Sequence, residues 1–257
     1  MALLEIKDLT KHFGGLAAVE GLDFDVHERE ILALIGPNGA GKSTVFNLIT
    51  SYLKPTRGTI MFQGKNMTHL GMHEVAQEGI VRTFQETNLF KEMTVLRNVI
   101  IAHHLRCRAS DWGHYFHSRQ AQKDEQETKE SARAILNYLG LLLYQDELVR
   151  NLPHGHQRAV EIAIGLATNP KLLLLDEPFT GMNPEETNTA IEMVRGIRNR
   201  RITIILVEHD MRAVMGLSDR IVVINFGKKI AEGKPEEIQR NEAVIEAYLG
   251  KEEEGEA

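Results

Sequence analysis

Apolar residues follow two rhythms along this chain of 257 residues. In 31–35 (Ile-Leu-Ala-Leu-Ile), 171–175 and 202–207 they run almost unbroken, the pattern of strands buried on both faces of a parallel sheet. In 3–8, 22–26 and 59–63 apolar and polar positions alternate between tight glycine turns, which predicts an antiparallel sheet near the N-terminus. Runs at 221–225 and 228–231 complete the predicted strands. Between about Gln85 and Gly165 the strand rhythm disappears; 92–105, 122–140 and 157–168 read as helices, with an irregular polar and aromatic stretch from Ser110 to Ser118 among them. The pattern predicts one α/β domain over 1–257: a core at 1–85 and 166–240, a helical subdomain inserted at about 86–165, and a C-terminal helix and acidic tail at 241–257.

Chemistry enters where the first buried strand ends. The run Gly36-Pro37-Asn38-Gly39-Ala40-Gly41-Lys42-Ser43 fits G-x-x-x-x-G-K-[ST] at every fixed position, and Ser43–Ile49 behind it has the apolar spacing of a buried helix. Glycines at 36, 39 and 41 let successive N–H groups point inward at phosphate oxygens, helped by the positive end of the helix that Ser43 and Thr44 open. Lys42 would reach the β- and γ-phosphates, and the Ser43 hydroxyl would ligate Mg²⁺. The expected cofactors are therefore ATP and Mg²⁺, and the expected fold is a P-loop NTPase core.

The second buried strand ends in Leu172-Leu173-Leu174-Leu175-Asp176-Glu177-Pro178, with two carboxylates at the C-terminal end, where open α/β sheets place their ligand sites. Asp176 would hold Mg²⁺, directly or through water, alongside Ser43, and Glu177 would orient or deprotonate an attacking water, an effect worth about 3 to 5 kcal/mol of barrier. His209 follows the third buried strand and Glu208, so its imidazole faces the same crevice and would bond a γ-phosphate and steady Glu177. The other histidines, His103, His104, His114 and His117 among them, lack metal-ligand spacing, and no structural metal is expected.

Composition narrows the partners. The net charge of −6 argues against nucleic acid, and the single cysteine, Cys107, forms no internal disulfide, which suits a reducing cytoplasm. Met1–Thr10 lacks the charged start and apolar core of a signal peptide, and no apolar run approaches the roughly 20 residues of a membrane span. A membrane role would have to come through another protein.

One turn has no evident role on a single chain: Leu152-Pro153-His154-Gly155-His156-Gln157-Arg158, which opens a helix. With it, the motifs and their order resemble the nucleotide-binding subunits of ATP-binding cassette (ABC) transporters over essentially the whole chain. The resemblance implies that two such subunits face each other head to tail and that each presents this signature turn, here Gly155 and Gln157, to the ATP held by the other. It implies that Phe13 stacks on adenine, that Gln85 in Arg82-Thr83-Phe84-Gln85 senses Mg²⁺ and the attacking water, and that His209 is the switch histidine. Within the family, Val81–Gln85, Asn88-Leu89-Phe90, Met93-Thr94-Val95 and the end Ile245–Gly250 are most similar to LivG-type ATPases of branched-chain amino-acid importers. That narrower likeness implies integral-membrane permease subunits, a LivF-like second ATPase subunit or a second copy of this chain, a periplasmic or extracellular solute-binding protein acting indirectly, and a place on the cytoplasmic face of the membrane. Leu89 and Phe90, apolar in a polar link, are expected as a permease contact.

Two positions depart from the family pattern: Pro153, where many signatures have Ser, and Asn183 in Thr180-Gly181-Met182-Asn183, where Asp is usual. Other classes fit less of the chain. A lipopolysaccharide or lipid exporter ATPase shares the short cassette and the Tyr-Leu-Gly-like end. A soluble ABC protein of DNA repair or translation would carry a long coiled-coil insert or a second cassette. A small-molecule kinase has no use for the turn at 152–158 or for His209.

Overall fold

Alternation within the strands decides how the core is built. The computed structural model describes residues 2–83, 89–104 and 119–249. Numbered in chain order, its strands and helices begin with β1 (Ala2–Phe13), β2 (Leu16–His27), β3 (Ile31–Ile35), α1 (Lys42–Ile49), β4 (Arg57–Phe62), β5 (Lys65–Asn66), α2 (Met72–Glu78) and β6 (Ile80–Arg82). They continue with α3 (Val95–His104), α4 (Arg119–Tyr138), α5 (His154–Ala167), β7 (Leu172–Asp176), α6 (Pro184–Asn199), β8 (Thr203–Val207), α7 (Met211–Leu217), β9 (Arg220–Asn225), β10 (Lys228–Gly233), α8 (Pro235–Ile238) and α9 (Glu242–Leu249).

Two sheets form, in the orders β2-β1-β4-β5 and β10-β9-β3-β8-β7-β6. The first is antiparallel throughout; the second is parallel except for the edge strand β10. This is the mixed α/β architecture that the two rhythms predict. Every residue of β3, β7 and β8 is buried, as their continuous apolar runs require. Leu32 and Leu34 of β3 join one apolar cluster with Val45 and Phe46 of α1 and the inner face of the antiparallel sheet (Leu4, Ile6, Phe24, Ile60). Ala33 and Ile35, on the opposite face, pack with Val214 of α7, Ile238 of α8 and Val244 and Tyr248 of α9. Each fully buried leucine or isoleucine here contributes about 1.5–3 kcal/mol. That burial fixes α1, and with it the loop before it, between two sheets.

These elements belong to one compact unit, made of the chain up to Arg82, Lys171–Glu177 and the chain from Val194 on. Thr83–Pro170 and Pro178–Met193 make a second. In the second, Val95, Val99 and Ala102 of α3, Ala132 and Leu136 of α4 with Leu139 just past its end, and Val160, Ala163 and Ala167 of α5 recur at helical spacing and are buried. The helix expected from 92 begins instead at Val95, because Thr94 is taken into a bridge with Leu148 and its hydroxyl accepts from Arg97 N at 3.3 Å. Among the described residues no helix is long and apolar enough to cross a membrane.

Candidate nucleotide site

The loop after β3 is shaped by contacts only glycine allows. A Cβ on Gly36 would lie 2.0 Å from Ile224 O, and one on Gly41, whose φ is 107°, would lie 2.6 Å from Ala18 O. Ala40 N donates to Pro37 O at 3.1 Å and Gly227 N to Ala40 O at 2.9 Å, which pins the loop against β2 and the β9–β10 turn. Asn38 and Gly39 form its exposed tip, and Ser43 and Thr44 follow in the first helical turn. Gly41 caps α1 without a side chain and no acidic residue lies in that turn, so the first N–H groups keep their capacity for an anion, at the positive end of the helix. Lys42 is buried, and its ammonium donates to Gly36 O at 2.6 Å and Pro37 O at 3.0 Å. A buried cation beside uncapped amides is chemistry for polyphosphate.

Sheet register brings the carboxylates and the histidine together. Asp176 of β7 pairs with Val207 of β8, and Glu177 N donates to Val207 O at 2.8 Å, so the residues after each strand emerge side by side. Glu177 has φ 50°, a left-handed conformation that costs a non-glycine residue about 1–3 kcal/mol. His209 Nε2 lies 2.9 Å from Glu177 Oε1. Behind it, Asp210 caps α7, accepting from Arg212 N at 2.8 Å. Burial works against that carboxylate, but the bonds from Arg212 and Ala213 outweigh it and hold its pKa below the ordinary value.

Asp176 is buried and asymmetric. Its Oδ2 takes Arg82 Nη2 at 2.5 Å, whereas Oδ1, shielded from solvent, has no hydrogen-bond partner among the described residues. The second arm of Arg82, Nη1, reaches Asn47 Oδ1 at 2.6 Å. Asn47 sits four residues beyond Ser43 on α1, on the same helical face, so the exposed Ser43 hydroxyl and Asp176 lie toward one side of the helix. A hard hydroxyl oxygen and an orphaned buried carboxylate oxygen fit Mg²⁺, which is held by one or two protein oxygens plus phosphates and water. Among the described residues no group of three or more His, Cys, Asp and Glu could hold a metal ion alone. Sequence reasoning used Arg82 only as a flank of Gln85; its partners lie 35 and 94 residues away, and only strand register reveals them.

Phe13 ends β1 at the β1–β2 hairpin, 47% exposed, with the Lys11 ammonium 5.2 Å from its ring centre. Gln85 lies outside the described residues. In the second unit, Leu89 is buried and Phe90 is 51% exposed, so only half of the expected apolar pair is available for contact. Asn98 explains the split: it accepts from Phe90 N at 2.9 Å and returns a bond to Phe90 O at 3.1 Å, holding the link with Leu89 inward.

Pro153 is the N-cap of α5, with no side-chain capping bond. Gln157 braces the turn, its N donating to Pro153 O at 3.1 Å and its Nε2 to Leu152 O at 2.9 Å. A Cβ on Gly155 would lie 3.4 Å from Glu186 Oε1. Asn183 does local work: its Oδ1 accepts from Glu185 N and Glu186 N at 3.0 Å each, and Glu186 answers by accepting from Asn183 N, a complete cap for α6. Within α5, Arg158 pairs with Glu161 at 2.9 Å, and burial pushes the Glu161 carboxyl up.

Comparison with known proteins bears on both units. The family model described as ABC transporter matches residues 19–180, and one described as Branched-chain amino acid ATP-binding cassette transporter matches 228–254. The high-affinity branched-chain amino acid transport ATP-binding protein LivG of Salmonella typhimurium is 44% identical over 249 residues, covering 96% of this chain and 98% of that protein. BraF of Pseudomonas aeruginosa, with the same description, is 42% identical with the same coverage. Among solved structures, a nucleotide-free ATP-binding cassette from an ABC transporter superposes with a TM-score of 0.85 at 32% identity, covering 97% of this chain and 100% of that one. The ADP conformation of such a cassette gives 0.85 at 33%, covering 97% and 99%.

Proposed function

We propose that this chain, which belongs to the ABC transporter family of ATP-hydrolysing cassettes, is the motor subunit of an importer of branched-chain amino acids. The observation that carries the motor reading is Glu177 held 2.9 Å from His209 where β7 and β8 end, in the same sheet as β3, which leads into the glycine-rich loop. The solute class rests on the relatives named for branched-chain amino acid transport and on the matching segment at 228–254. We read the whole chain as one cassette working at the cytoplasmic face of a membrane, bound to permease subunits and paired with a second ATP-binding subunit.

In this reading Phe13 stacks on adenine, Lys42 and the amides from Gly36 to Thr44 grip the phosphates, and Ser43 and Asp176 hold Mg²⁺ beside them. Mg²⁺ held by Ser43 and Asp176 would supply neutralisation of phosphate charge. Glu177 would align the attacking water and draw off its proton, His209 would fix Glu177 and bond the γ-phosphate, and Gln85 would sense Mg²⁺ and the water. The γ-phosphate is enclosed by the Gly155–Gln157 turn of the second subunit, whose α5 dipole favours the developing charge. The test is purification from host membranes with its partners, reconstitution in vesicles, and measurement of leucine, isoleucine and valine uptake with ATP inside. Uptake that depends on ATP and stops in Glu177→Gln is expected; a complex that hydrolyses ATP but carries none of the three would overturn the solute assignment.

A further inference from the structure

Arg82 is the residue whose placement the phosphate-loop reading leaves unexplained. β6 pairs with β7 in parallel, Arg82 opposite Leu174, so the side chains of Arg82 and of Asp176, two residues further along β7, share a face of the sheet. The guanidinium is held from three sides. One arm meets Asp176 Oδ2 at 2.5 Å, the other meets Asn47 Oδ1 at 2.6 Å, and its Cζ lies 5.5 Å from the centre of the buried Phe46 ring. With Arg82 10% exposed and Asp176 1%, the carboxylate has little freedom to turn. The fork occupies Oδ2 and leaves Oδ1 as the oxygen without a hydrogen-bond partner among the described residues. A buried carboxylate oxygen left unpartnered is costly, and a cation at that oxygen would remove the cost.

We propose that Arg82 is a positioning residue for Mg²⁺. Its two-armed grip ties Asp176 to the phosphate-loop helix through Asn47 and presents Oδ1 to the ion, a task that needs a planar fork and not merely a positive charge. The proposal rests on the reading that Asp176 serves Mg²⁺, and the experiment separates the two. Binding of a non-hydrolysable ATP analogue to the purified chain is measured by calorimetry across a series of free Mg²⁺ concentrations, including chelator alone. Arg82→Lys keeps the charge but loses one arm, and the Mg²⁺ concentration giving half of the metal-dependent gain in affinity should rise about tenfold, with metal-free affinity unchanged. Asn47→Ala, which leaves the Arg82–Asp176 ion pair intact and serves if the lysine variant does not fold, should shift the same midpoint by less. In an Asp176→Asn background Arg82→Lys should add nothing. Unshifted midpoints in both variants, or a loss of metal-free affinity equal to the metal-dependent one, would overturn the positioning role. No effect of Asp176→Asn on the Mg²⁺ midpoint would overturn the metal reading beneath it.

Discussion

Helices α1, behind Gly41, and α5, behind Pro153, both begin without a hydrogen bond from an N-cap side chain, and their surroundings could hardly differ more. Around α1, the same unit supplies a buried lysine, a paired aspartate, and a glutamate held by a histidine. Around α5, the polar side chains brace the turn itself: Gln157 bonds Leu152 O, His156 packs edge-on against Tyr144 at 4.8 Å, and Glu186 completes the cap of α6 beside Gly155. The first helix start carries its own chemistry. The second offers amides and a dipole beside side chains engaged in bracing the turn and capping α6, which suits service to a phosphate held elsewhere.

That contrast is broken most severely through Glu177. Glu177→Gln keeps the cradle intact, so the purified complex should bind ATP normally while turnover falls about 10²-fold or more, because an amide takes no proton. Hydrolysis near the wild-type rate would show that the first site does not carry its own base. Next in size is Lys42→Ala, which removes the charge-assisted bonds to phosphate, worth about 1.5–3 kcal/mol each, and should weaken nucleotide binding by roughly 10- to 150-fold in equilibrium dialysis. Tight binding by that variant would mean the uncapped amides of α1 suffice, making the two helix starts alike.

Pro153→Ser sharpens the comparison from the other side. A serine at that N-cap accepts from the first-turn amides, stabilising α5 by about 0.5–2 kcal/mol and raising the melting temperature, and it adds a hydroxyl donor toward the facing phosphate. Read with this chain's own cradle silenced by Glu177→Gln, hydrolysis at the partner's cradle should rise by up to ~10-fold. A fall would show that the cap withdraws amides the phosphate needs. The smallest expected effect concerns the floor of the first site. Burial pushes the Tyr248 phenol of α9 up to about 12, against a bond with the Gly36 backbone that pulls the other way. The folded chain therefore keeps a proton that the unfolded chain releases near pH 10, so stability is unaffected below that pH and declines as pH rises from about 10 to 12. Urea unfolding of Tyr248→Phe should lack that decline, and an unchanged slope would place the alkaline sensitivity elsewhere.

What could be read from the sequence divides along the same line. The cradle was legible because its letters are contiguous: glycines at 36, 39 and 41, and a lysine and a serine opening the helix. The strands β3, β7 and β8 were legible because full burial leaves no polar residue in them except Thr203 and the final Asp176. Strand β6, with only Ile80, Val81 and Arg82, is too short to show a period, and the fork of Arg82 depends on a pairing with β7 that no window of sequence contains. Leu89 and Phe90 look equivalent as letters; Asn98, eight residues past Phe90, separates them. Asn183, where Asp is usual, is a helix cap in a reciprocal arrangement with Glu186 three residues on, a pairing that the motif comparison alone does not reveal.

The order of the parallel sheet also sets a timetable. β3, which delivers the cradle, pairs only with late strands, Ile31 with Ile204 and Leu32 with Arg220, and Gly36 closes against Ile224. A ribosome that has released the glycine loop has made neither neighbour of its strand. Contacts this distant in sequence form slowly, and until they do an apolar ribbon with two open edges is in reach of other chains. ATP therefore has no finished pocket through which to assist early folding, and chains halted before β9 should be substrates for chaperones and not truncated motors.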